Sequence, residues 1–97
     1  MAAQITVEVQ QKGDAWECRV TIAEADGQTV HTVVVERAYR DKLVGTAVPV
    51  EQLVRKSFEF LLAREPKESI LRSFHLPVIS RYFSEYEREI RGAFSSS

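Results

Sequence analysis

The stretch WECRVTIAEADGQTVHTVVV, Trp16–Val35, decides the fold. Trp16, Cys18, Val20 and Ile22 alternate with Glu17, Arg19 and Thr21. In an extended chain this gives one apolar and one polar side, the pattern of a half-buried antiparallel strand. Ala25-Asp26-Gly27-Gln28 then marks a reversal, since Asp-Gly takes tight hairpin angles at little cost. Thr29–Val35 is rich in β-branched residues whose stiff side chains favour a pleated surface. The facing of this strand is ambiguous, with Val30 and Val34 on one side and His31, Val33 and Val35 on the other. Burial on both faces within one subunit, or cover from a dimer partner, would account for the two apolar sides.

Upstream, Ile5-Thr6-Val7-Glu8-Val9-Gln10 alternates in the same way, and Gln11-Lys12-Gly13-Asp14 supplies a turn in which Gly13 reaches a positive φ cheaply. Downstream, Glu36–Leu43 ends the strand with charged residues and predicts a short helical turn before Gly45. Pro49 suits the start of a helix, where its missing N–H has no intrahelical partner. Val50, Leu53, Val54, Ser57, Phe58, Leu61 and Leu62 recur on one helical face, while Phe60 departs from that stripe. Pro66 limits this helix and opens a second, short one with Ile70, Leu71 and Phe74 pointing inward. After the interruption His75-Leu76-Pro77, Ile79, Tyr82, Phe83, Tyr86 and Ile90 follow helical spacing. Ser84 is placed to bend this last helix or to cap a new one, with Glu87 three positions on.

The expected fold class is therefore α+β, an N-terminal three-stranded antiparallel meander packed against C-terminal helices. At 97 residues the chain suits one domain, residues 1–97, with a flexible tail at about 93–97 ending in three serines. Hydrophobic residues make up 44% and charged residues 28%, a globular rather than disordered mixture. The formal charge is -1, divided as -2 over residues 1–49 and +1 over residues 50–97. Neither half attracts polyanions as a whole. Cys18 is the only cysteine, so an internal disulfide is excluded. With no long apolar run and no leader-like start, the expectation is a soluble cytoplasmic chain.

No residue group predicts chemistry. His31 and His75 stand in different halves without metal-ligand spacing, so no metal is expected. Cys18 alternates with core residues, which favours packing over nucleophilic work. Ser57 lies within a helix and lacks the setting of a nucleophile elbow. Glu65 and Glu68, and the series Glu85, Glu87 and Glu89, are explained by helix ends and solvent-facing ion pairs. The four glycines are isolated, so no phosphate cradle forms and no cofactor is expected. These features argue against an enzyme.

Two binding readings remain. Val33, Val35, Phe60, Tyr82, Phe83 and Tyr86 are candidates for a protein interface, which makes the chain a protein-interaction or regulatory module, with a homodimer or another protein as partner. The alternative is a DNA- or RNA-binding module. Residues 67–90 have the spacing of a helix-turn-helix, with Arg72, Arg81 and Arg88 as phosphate contacts. Acidic residues on the same face oppose that second reading.

The run VRKSFEFLLAREPKESILRSFHLPVISRYFSEYEREI, residues 54–90, is the most distinctive. Through SFEFLL, REPKESIL and the YF-x-EYE run, it resembles the C-terminal region of a group of small uncharacterised bacterial proteins. The resemblance covers under half the chain. Those proteins carry proline where this chain has Ser84, so the break in the last helix is less firmly specified here. The resemblance implies a bacterial soluble domain and carries no functional residues.

Overall fold

The computed structural model describes residues 3–95. Three long strands, β1 (Gln4–Lys12), β2 (Ala15–Glu24) and β3 (Gly27–Glu36), form the expected antiparallel meander. Gly13, at φ 63°, closes the first hairpin. That conformation is cheap only without a Cβ. In the second hairpin Gly27 follows Asp26 at φ 135° and opens β3.

Chain reversal fixes which residues share a face. Ile5, Ile22 and Thr29 lie in register, as do Val7, Val20 and His31, and Val9, Cys18 and Val33. This face is covered, and Cys18, Val20, Ile22, His31, Val33 and Val35 are fully buried. The opposite face carries Glu8, Arg19 and Thr32 and meets solvent. β3 is therefore one-sided, since Val34 is only half-buried and Val30 is 41% exposed.

Helix α1 (Arg37–Val44) follows β3 directly and ends at Gly45, whose N–H reaches the Asp41 carbonyl. Arg37 and Arg40 place their guanidiniums 4.8 and 4.9 Å from the centre of the Trp16 ring, and Arg40 also donates to the Val48 carbonyl. Helix α2 (Val50–Leu62) starts after Pro49, whose carbonyl accepts from Gln52 and Leu53. Val50, Leu53, Val54, Ser57, Phe58 and Leu61 are buried on its inner side.

The meander has a fourth strand that the periodicity did not predict. Lys67–Ser69 is a single 3-10 turn, and Ser73–His75 forms β4, parallel to β3, in a sheet ordered β1-β2-β3-β4. The short helix expected from Pro66 to Phe74 is absent. The outer backbone groups of β3 supply the reason, because buried N–H and C=O groups need partners. The Thr32 N–H donates to the Arg72 carbonyl at 2.8 Å, and the Leu76 N–H donates to Val34 at 3.0 Å. Phe74 and Leu76 are buried while Ser73 and His75 are exposed, an alternation of period two that a short apolar run hides. Leu71 faces outward instead of into a core.

The last helix is divided. Helix α3 (Val78–Tyr82) ends at Phe83, which is extended at φ -133°, and α4 (Tyr86–Phe94) starts after Glu85. The bend expected at Ser84 is present, although Ser84 supplies no cap. Ala93 and Phe94, within the stretch expected as a flexible tail, belong to α4, and Phe94 packs against the core. Ser96 and Ser97 lie outside the described residues.

Candidate interaction site

Two buried polar devices position the segment between α2 and α3. The first is Lys67. Its side chain is 1% exposed, and its ammonium lies 2.9 Å from Glu24, 2.9 Å from Asp26 and 2.8 Å from Glu68. An ammonium withdrawn from bulk water needs such partners. Their hydrogen bonds raise the Lys67 pKa and hold the Asp26 and Glu68 carboxyls below the ordinary range. The β2–β3 turn is thereby tied to the 3-10 turn.

The second device is His31, fully buried in β3 against the Phe58 ring at 5.5 Å. Its Nδ1 lies 2.8 Å from the Leu71 carbonyl and its Nε2 lies 2.8 Å from the Thr29 hydroxyl. A carbonyl can only accept, so Nδ1 carries the proton and neutral Nε2 accepts from Thr29. Burial lowers the His31 pKa, opposed by the hydrogen bond to Leu71 and assisted by Arg72.

An unfolded chain protonates this imidazole near pH 6.5, while the folded chain resists protonation to lower pH. The His31 contribution is present above about pH 6.5 and is lost as pH falls toward the folded pKa. Thermal melts from pH 7.5 to 5 should show Tm falling with acidity, and His31→Gln should flatten that slope. An unchanged slope in His31→Gln would remove this assignment. Loss of the Asp26 and Glu68 contributions lies in a separate window, below about pH 4.

Held in this way, Ile70, Leu71 and Phe74 face Leu61 from α2 and Val78, Ile79, Tyr82 and Phe83 from the α3 region. They enclose a cavity of about 210 Å³ that opens to solvent. Leu71 is 47% exposed and Tyr82 is 69% exposed at its edge. Glu65 and Ser69 are the polar residues of the lining, and Glu65 has no ion-pair partner among the described residues.

The interface candidates divide accordingly. Val33, Val35, Phe60 and Tyr86 are buried within one subunit and present no surface for a partner. Phe60, expected outside the α2 stripe, is covered edge-on by Phe83 at 5.8 Å and Tyr86 at 5.2 Å, with the Arg64 guanidinium 3.6 Å over its ring. Tyr82 and Phe83 do line the open cavity. Glu65, Ile70, Leu71 and Val78 were missed, because a helical reading of 66–74 turned Leu71 inward and gave no groove.

Arg72, Arg81 and Arg88 are exposed on three separate elements, before β4, in α3 and in α4. With β4 where the first helix was expected, residues 67–90 do not form a helix-turn-helix. Cys18, His31 and His75 do not converge either. His75 lies on the open sheet face, and both His31 nitrogens are engaged elsewhere. Burial, with Glu17 beside it, pushes the Cys18 thiol up to about 11, which keeps it protonated at neutral pH. Among the described residues no group of three His, Cys, Asp or Glu side chains is placed to hold a metal ion, and no helix is long and apolar enough to cross a membrane. No family model, curated protein or solved structure matches this chain.

Proposed function

We propose that this chain is a protein-interaction module whose binding element is the cavity between Leu71 and Tyr82. The observation that supports the reading is the exposure of Leu71 and Tyr82 beside an apolar recess lined by one carboxylate, Glu65, that has no ion-pair partner among the described residues. Its volume of about 210 Å³ is below the roughly 300–1,000 Å³ of small-molecule and cofactor sites. It suits one large apolar side chain of a partner. Glu65 at the lining favours a lysine or arginine next to that side chain, through charge complementarity. The occupant is accordingly a segment of another protein that carries Leu or Phe flanked by basic residues.

Fluorescence anisotropy with short peptides tests this. Peptides carrying a central Phe flanked by Lys, by Ser or by Glu should bind in that order, and Glu65→Lys should reverse the order. Leu71→Asp should weaken the lysine-flanked peptide about tenfold or more, as expected for a charge placed in an apolar contact. Equal affinities for the three peptides, or no binding by any, would reject the reading.

A further inference from the structure

β1 is an outer strand of the sheet, at the opposite edge from β4. Gly13 and Asp14 form a two-residue turn, and Lys12 stands opposite Ala15. Lys12 and Ala15 therefore make the first hydrogen-bonded pair, and the even residues of β1 direct their backbone groups to β2. The N–H and C=O groups of Ile5, Val7, Val9 and Gln11 consequently point away from the sheet. Arg55 supports this assignment, since its guanidinium reaches from α2 to the Ile5 carbonyl. Among the described residues, Val7, Val9 and Gln11 have no backbone partner on that side.

Natural sheets shield such edges with proline, bulges, charged side chains that point inward or along the edge, or covering loops. β1 has no proline, pairs with β2 without a bulge over its full length, and carries its charges, Glu8 and Lys12, on the open face of the sheet; among the described residues it is capped at Ile5 alone. Val9 on the covered face is 39% exposed, so the helical layer does not extend over it.

We infer that β1 pairs antiparallel with β1 of a second copy, about a two-fold axis through Val9. This register sets Val9 against Val9 and Val7 against Gln11, each pair exchanging backbone hydrogen bonds. Glu8 then faces Gln10, Thr6 faces Lys12, and Lys12 lies diagonal to Glu8 of the other copy. Moving the axis to Glu8 would oppose two carboxylates, which is unfavourable. Moving it to Val7 would require the Ile5 carbonyl already taken by Arg55. A shift toward Gln10 would shorten the overlap and lose Val7. The Val9 axis also separates the two Ile5 positions, where α2 is anchored, by roughly 26 Å along the strands at about 3.3 Å per residue. Both helical layers therefore fit on the same side of one continuous eight-stranded sheet.

Light scattering over a range of concentrations, combined with cysteine cross-linking, tests the inference. The wild-type chain should pass from monomer to dimer as concentration rises, and Val9→Pro should raise the dissociation constant about tenfold or more. Proline is tolerated in an edge strand whose N–H faces outward. On mild oxidation Val9→Cys should form a covalent dimer, because opposed residues in a bonded pair have a Cα separation of about 5.5 Å, within disulfide reach. Val7→Cys, which faces Gln11, should cross-link at least tenfold more slowly. Both cysteine variants are made in a Cys18→Ala background, because Cys18 stands opposite Val9 on β2 and its thiol would otherwise compete within the chain. A wild-type monomer at every concentration would overturn the inference, as would equal cross-linking at positions 7 and 9. The cysteine pair decides the matter if Val9→Pro fails to fold. A dimer unaffected by Leu71→Asp would separate this edge from the cavity.

Discussion

Phe58→Ala should lower the stability of this domain by about 3–5 kcal/mol, the range for deleting a large buried ring. Phe58 is fully buried at the centre of α2, with its ring 5.5 Å from His31 and 6.0 Å from Phe74. Those contacts join α2 to β3 and to the added strand β4. Removing the ring leaves a void beneath the parallel strand pair, so the loss combines transfer energy with an unfilled cavity. Small domains have only about 5–15 kcal/mol in hand, which makes such a variant marginal. Leu71→Ala, at an exposed position, should change stability by about 0.5 kcal/mol or less. Urea unfolding of the two variants measures the difference. Equal effects would mean that Phe58 does not connect the three elements.

Tyr86→Ala should be comparably severe, at about 3–5 kcal/mol, whereas Tyr86→Phe should lose only about 0.5–1.5 kcal/mol. The Tyr86 ring is fully buried and meets Phe60 edge-on at 5.2 Å. Its hydroxyl lies 2.7 Å from the Ser57 hydroxyl, which in turn donates to the Leu53 carbonyl at 2.8 Å. Tyr86 is thus the donor to Ser57, and burial raises its pKa. In Tyr86→Phe, Ser57 keeps its bond to Leu53, so no donor is stranded and the cost stays small. In Tyr86→Ala, α4 loses the side chain that seats it on α2, and Phe60 loses part of its cover. Similar costs for the two variants, read from urea midpoints, would show that the hydroxyl pair rather than the ring holds α4.

The two halves of the molecule differed in how much their residues disclosed. Strands β1 to β3 were legible because period-two alternation, two good turns and β-branched residues all agreed. Helix α2 was legible from its stripe. The segment 66–74 reads as helical because Ile70, Leu71 and Phe74 are compatible with helical spacing, and a three-residue strand leaves almost no periodic signal. What decides that segment is tertiary: the unpaired outer edge of β3, the carbonyl of Leu71 bonded to His31, and Lys67 gripping the β2–β3 turn. Sequence spacing cannot show partners forty residues apart.

The cavity inherits this limit. Tyr82 and Phe83 stood out as aromatics, and both line it. Leu71 and Glu65 became visible only once β4 replaced the expected helix. Phe60 and Tyr86, equally conspicuous as aromatics, are instead packed against each other in the core.

The central claim is that the recess between Leu71 and Tyr82 receives an apolar side chain with a basic neighbour. Amide chemical-shift mapping during titration with the lysine-flanked Phe peptide tests it most directly. Saturable shifts are expected at Glu65, Ser69–Leu71 and Val78–Phe83, with the open face of β1 and β2 unmoved. Shifts concentrated on that sheet face, or none in the 65–83 region at saturating peptide, would contradict it.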